Sequence, residues 1–203
     1  MAIEEATYTV VERDGEFEIR DYAPHVVAET VVAGSFDRAG NEAFSRLFRY
    51  ISGDNRSRHK VAMTAPVSQG SEGEKIAMTA PVEQQPAEDR WVVSFTMPAS
   101  SALETLPQPG DPQVTLRQVP ARRMAALRYS GRWTESSYLR HKMELESWVR
   151  ERGLRVTGDP LWARYNPPFA PWFLRRNEIL VPVDRNGGLG AHQNAETRKP
   201  EPR

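Results

Sequence analysis

The 203-residue chain contains no cysteine. That excludes disulfides, thiolate catalysis and Cys-ligated metal centres, and leaves His, Met, Tyr, carboxylate or lysine for any metal contact. Long apolar runs are missing too, since the longest extend over only a few residues where a bilayer span needs about 20. Nor is there an excess of charge of one sign: Lys plus Arg and Asp plus Glu both number 27. No strong overall field therefore directs the molecule toward nucleic acid or an anionic membrane, although local basic patches are compatible with this balance. Residues Met1 to Glu5 carry two acids and no basic stretch before an apolar segment, unlike a secretory signal. The expected compartment is the cytoplasm, and the expected partners include neither nucleic acid nor a membrane span. HExxH, Walker, GxGxxG and GxSxG patterns are absent, and Gly187-Gly188-Leu189-Gly190 has no following helix that would make it a phosphate loop.

What is present reads as alternating short elements. Thr7 to Glu12 alternates as a strand, Asp14-Gly15 signals a turn, and Glu16 to Tyr22 forms the returning arm of a hairpin. His25 to Ala33, rich in Val and Thr, is a third strand that stops at Gly34. In Asn41 to Ser52, the apolar residues Ala43, Phe44, Leu47, Phe48 and Ile51 share one helical face, and Gly53 closes the helix. A direct repeat follows, Lys60-Val-Ala-Met-Thr-Ala-Pro-Val67 and Lys75-Ile-Ala-Met-Thr-Ala-Pro-Val82. Its copies are expected as hairpin arms or neighbouring strands, with Pro66 and Pro81 at strand ends, edges or bulges. Another strand is expected over 90–97. A second helix spans 134–152, where Tyr138, His141, Leu145, Trp148 and Val149 share a face. Residues 1–184 are read as one domain and 185–203 as a disordered tail too polar to order itself.

A second, distant repeat organises these elements. A shift of 97 residues lays Ile19-Arg20 on Leu116-Arg117, Ala28 on Ala125, Gly34 on Gly131 and Phe36 on Trp133, and it lays the first helix over the second. Each half reads strand, strand, helix, further strands. The fold class that follows is α+β with pseudo-two-fold internal duplication: a strongly curved or barrel-like antiparallel sheet of about eight strands, flanked by two helices.

The paired Met-Thr-Ala-Pro-Val segments, the strand Phe17-Glu18-Ile19-Arg20-Asp21-Tyr22 and the stretch from Ala163 through Pro167-Pro168-Phe169-Ala170-Pro171-Trp172 to Glu178 resemble the SOUL haem-binding family. The likeness runs from about Thr7 to Val183. It implies a distorted antiparallel barrel with two flanking helices, and reversible, non-covalent binding of haem b or a related porphyrin for buffering, storage or delivery to an accepting protein. Some animal members of that family place a proposed axial histidine after the Ile-Arg of the second strand, whereas this chain has Asp21. In other members the ligand is placed in a shallow apolar cleft, which the resemblance carries onto Phe44, Phe48 and Arg49 on one side and Phe169, Ala170 and Trp172 on the other. The residues themselves add candidates. Met63 and Met78 suit an aromatic ligand slot because thioethers are flexible and pack on rings. Arg49, Arg175 and Arg176 suit carboxylates of the ligand. Should iron be coordinated, His141 or His25 is the candidate, since His59 lies in a polar loop and His192 in the tail. The fold is also similar to GyrI-like effector modules, which leaves a small-molecule binding role open. A hydrolase acting on a hydrophobic molecule through Glu178 and Tyr165 is a third reading, without a nucleophile–base pair defined by spacing.

Overall fold

The computed structural model of the chain describes residues 4–57, 73–167 and 169–185. Its first half holds β1 (Glu4–Glu5), β2 (Tyr8–Asp14), β3 (Phe17–Tyr22), β4 (His25–Ala33), α1 (Phe36–Ile51), β5 (Asn55–Arg56), β6 (Thr79–Ala80), β7 (Val82–Ala87) and β8 (Arg90–Thr96). The second holds β9 (Gln108–Pro109), β10 (Thr115–Val119), β11 (Arg122–Tyr129), α2 (Glu135–Glu151), β12 (Leu154–Val156), β13 (Leu161–Arg164), a 3-10 turn (Trp172–Leu174) and β14 (Asn177–Arg185). Arg185 thus closes a strand rather than opening the expected tail, and 186–203 lies outside the described residues.

The largest departure from the expected limits is at α1, which begins at Phe36 instead of Asn41. Gly40 argues against helix there, because an interior glycine costs roughly 1 kcal/mol relative to alanine. Burial of Phe36 and Ala39 on the sheet outweighs it. The glycine also has a packing reason, since a Cβ at Gly40 would lie 2.9 Å from Gln84 Oε1 and 3.1 Å from Arg164 Nη2. Helix α2 starts where expected, with the Thr134 side chain accepting from the Ser137 N–H at 3.2 Å as an N-cap.

Ten strands form one antiparallel sheet, in the order β10-β4-β8-β7-β13-β14-β11-β3-β2 with β12 beside β14. The expected barrel-like antiparallel sheet with two helices is present, as a curled half-barrel of ten strands among the described residues. Its two edges, β2 and β10, are polar and largely exposed, the usual way of discouraging further pairing. Strand β3 pairs with β11 so that Ile19 faces Ala125, and β10 pairs with β4 so that Leu116 faces Ala28. These two pairings are the same under the 97-residue shift. At the centre β7 meets β13, with Gln84 opposite Trp162. Each half lends a strand to the other's sheet, so the hydrogen bonding of neither is complete alone.

One cluster of apolar side chains lies under α1, around Ala43, Leu47, Val93 and Phe95, and another under α2, around Leu145, Trp148, Ile179 and Val181. Phe36 joins the halves: its ring stacks on Trp162 at 4.5 Å and on Tyr138 at 5.5 Å. The opposite face of the sheet buries Tyr22, Met124, Leu161 and Leu180. Of the Met-Thr-Ala-Pro-Val repeat, the first copy, with Met63, Thr64 and Pro66, lies outside the described residues. In the second, β6 pairs in parallel with β1, and Pro81 separates β6 from β7. Among the described residues no helix is long and apolar enough to cross a membrane.

Candidate functional site

Helix α1 and the start of α2 converge above the central pair β7 and β13. Between them lies a cavity of about 260 Å³, walled by Gly40, Asn41 and Phe44 of α1, by Met78, Thr79, Ala80 and Val82, and by Trp133, Arg164, Tyr165, Asn166, Pro167 and Phe169. A second cavity of about 460 Å³ adjoins it, sharing Asn41, Trp133 and Arg164 and adding Phe36, Arg132, Thr134, Trp162, Trp172 and Arg175. The combined groove has aromatic walls and three arginines, and no carboxylate among its described lining residues.

The arginines are held on tryptophan faces. The Arg164 guanidinium lies 5.3 Å from the centre of the Trp133 ring and 4.8 Å from that of Trp162. Arg175 sits 4.2 Å above Trp133 and donates from Nε to the Ala170 carbonyl at 2.9 Å, while Arg132 lies 5.6 Å from Trp172. Stacking of this kind orients a guanidinium at the cavity wall, and Arg164 also donates from Nη2 to Gln84 Oε1 at 3.4 Å.

The structure gathers some of the expected site residues and separates others. Phe44 and Met78 line the first cavity with Phe169, and Trp172 lines the second with Arg175. Ala170 contributes its carbonyl, to Arg175. Phe48 stacks on Phe44 at 5.9 Å but stands outside the lining, largely exposed. Arg49 lines neither cavity and pairs with Asp111 at 3.4 Å. Arg176 also lines neither, and its guanidinium is engaged by Glu5 and Glu178, both at 2.9 Å. Met63 lies outside the described residues. Among the groove residues absent from the sequence-based expectation are Arg132, Trp133 and Arg164. Trp133 carried one signal, as the shift partner of Phe36, and Arg164 lies within the stretch that resembles the family. Nothing in their spacing indicates that they stack.

Neither candidate histidine lines the groove. His25 Nδ1 faces the Ala23 carbonyl at 2.9 Å and the residue borders a separate cavity of about 390 Å³. His141 Nδ1 faces the Ser137 carbonyl at 2.7 Å, and its ring stacks on Tyr129 at 3.7 Å. Asp21 is held by Arg123 through two hydrogen bonds of 2.7 Å. Among the described residues no group of three or more His, Asp or Glu is arranged to hold a metal.

Behind the groove lies a buried ionic cluster. Glu178, fully buried, accepts from Arg20 at 2.6 and 3.1 Å, from Arg176 at 3.0 Å and from the Tyr165 hydroxyl at 2.8 Å. Burial pushes its carboxyl up, but the hydrogen bonds and charges of Arg20 and Arg176 outweigh that and hold it below the usual carboxylate range. Burial first, and then the Glu178 charge, push the Tyr165 phenol well above its ordinary value.

Comparison with known proteins follows this geometry. The SOUL heme-binding protein family profile matches residues 3–182. Heme-binding protein 1 of Xenopus tropicalis is 27% identical over 175 residues, which cover 83% of this chain and 84% of that protein. Among solved structures, the EcmrR C-terminal domain is similar with a TM-score of 0.56 at 11% identity, covering 88% of this chain and 98% of that one. A structure described as a hydrolase from Listeria innocua has a TM-score of 0.56 at 12% identity, covering 86% and 94%. These last two likenesses are of fold.

Proposed function

The chain belongs to the SOUL heme-binding protein family, and from that premise we propose that it binds haem b or a related porphyrin, reversibly, in the groove between α1 and the start of α2. The observation that carries this reading is the set of three arginines laid on tryptophans beside a flat apolar wall, with no carboxylate among the described lining residues. A porphyrin is a broad apolar plate with two carboxylates at one edge. Phe44, Met78, Phe169 and Trp133 suit its faces; Arg132, Arg164 and Arg175 suit its propionates. The two adjoining cavities together fall in the range usual for small-molecule sites, roughly 300–1,000 Å³. Bound haem would supply an iron centre, and the groove offers it no histidine among the described residues. Affinity then rests on buried faces and paired propionates. Burial contributes roughly 25 cal/mol per Å² and association costs several kcal/mol, so a dissociation constant on the order of micromolar is expected. A carrier of this kind suits buffering, storage or delivery.

The test is an absorbance titration with haemin beside a fluorescence titration with metal-free protoporphyrin. The two should bind within about tenfold of each other, because iron contributes little without a strong axial bond. Much tighter haemin binding, with a six-coordinate spectrum lost in His25→Ala or His141→Ala, would overturn the ligand-free cleft. The likeness to the EcmrR C-terminal domain favours a second reading, a small-molecule effector module of the GyrI-like kind. The same arginines separate the two, since an aromatic cation would meet like charge in this groove while an aromatic carboxylate would not.

A further inference from the structure

At the mouth of the groove, sharing Phe169 and Trp172 with its lining, the chain presents a tip of large apolar side chains to solvent. Between β13 and β14, Phe169 is 86% exposed, Trp172 51%, Phe173 58% and Leu174 67%. Four large apolar side chains within six residues are presented to solvent, and Phe173 and Leu174 line neither cavity of the groove. The segment holds its own shape. The Ala170 N–H donates to the Pro167 carbonyl at 3.1 Å, the Leu174 N–H donates to the Pro171 carbonyl at 2.9 Å, and Trp172 and Phe173 meet edge to face at 5.6 Å. A rim of positive charge accompanies it, Arg132 next to Trp172 and Arg175 immediately after the 3-10 turn.

We propose that this tip is a membrane-docking element that inserts Phe173 and Leu174 into the interface of an anionic lipid surface, with Trp172 at headgroup depth and Arg132 and Arg175 on lipid phosphates. The chemistry matches on both counts: Trp and Phe favour the water–hydrocarbon boundary, and arginines beside them add attraction to anionic headgroups. A preformed tip also loses little freedom on insertion. The alternative occupant, a second copy of the chain, is disfavoured by charge. A two-fold contact through this tip would bring each Arg132 and Arg175 against the same rim of its partner. The inference does not depend on which ligand the groove takes, although it would set the mouth of that groove, bordered by Phe169 and Trp172, against the bilayer, from which an apolar ligand could pass directly.

The experiment uses the full chain with vesicles of phosphatidylcholine alone and of equimolar phosphatidylcholine and phosphatidylglycerol. The wild type should co-sediment with the anionic vesicles and only weakly with the neutral ones, and its tryptophan emission should move to the blue on binding. The double variant Phe173→Ser, Leu174→Ser should lose vesicle binding by roughly tenfold or more while melting as the wild type does, since both side chains are exposed. Arg132→Glu should abolish the preference for anionic over neutral vesicles. The double variant's haemin titration should match that of the wild type, since Phe173 and Leu174 line neither cavity, which keeps failure here distinct from failure of the groove reading. Absence of wild-type binding to anionic vesicles, or equal binding by the double variant, would overturn the proposal. So would a wild-type dimer that the double variant dissolves, because the tip would then be a contact between copies.

Discussion

Two sets of arginines flank Tyr165, and the difference between them separates what holds the fold from what is offered to a ligand. On the buried side, Arg20 and Arg176 converge on Glu178, which also accepts from the Tyr165 hydroxyl. On the groove side, Arg132, Arg164 and Arg175 rest on tryptophan faces where no described lining residue is a carboxylate. Composition treats all five alike. A guanidinium whose donors are taken by a buried carboxylate is fixed structure, whereas one stacked on a ring at a cavity wall stands where an incoming anion would meet it.

The largest effect is expected from removing the anion on the buried side. Glu178→Ala leaves Arg20 buried without its principal partner and should destabilise the fold by about 3–5 kcal/mol in urea unfolding. A loss under about 1 kcal/mol would mean that the cluster is not the structural element described. The same carboxylate sets a pH signature. Its folded-state value is depressed, so its contribution is complete above the ordinary carboxylate range and is lost as the pH falls through the depressed folded value. Wild-type stability should therefore fall on acidification through and below that range more steeply than that of Glu178→Gln.

On the groove side the effects should appear in binding more than in stability. Arg164→Ala removes the cation common to both cavities and is expected to weaken haemin binding by about 1–3 kcal/mol, the scale of a hydrogen bond to a charged group. Unchanged affinity would remove Arg164 from the site. Gly40→Ala sharpens the comparison further, because the added methyl must displace the side-chain ends of Gln84 and Arg164. Helix propensity gains up to about 1 kcal/mol and crowding offsets it, so stability should change little while haemin affinity falls. The smallest effect belongs to a pair on the solvent side. Asp21 and Arg123 are geometrically well matched yet substantially exposed, so Asp21→Ala should cost about 0.5 kcal/mol or less and leave haemin binding unaltered.

The hairpin, the third strand and the face of α2 were legible because alternation and helical spacing are local properties. The shift of 97 residues is readable too, and in the structure the residues it relates pair as Ile19 with Ala125 and Leu116 with Ala28. The early start of α1 was not, since Gly40 discourages a helix locally and only burial of Phe36 and Ala39 on the sheet outweighs it. Of the candidate site residues, only the placement can be compared. Phe44, Met78, Phe169, Trp172 and Arg175 border the groove, but Arg49 and Arg176 are turned to Asp111 and to Glu5 with Glu178.

By itself, then, the sequence determined the α+β class, the hairpin and helices it contains and the stretch that carries the family likeness. These depend on periodicity and on residue identity along the chain. Only the tertiary structure decided that the sheet stays open, that each half completes the other's hydrogen bonding, and which arginines face the groove. Those outcomes depend on side chains far apart in sequence meeting, as Arg20 meets Glu178 and Trp133 meets Arg164 and Arg175. Which partner a charge meets is a property of that meeting, and no local pattern encodes it.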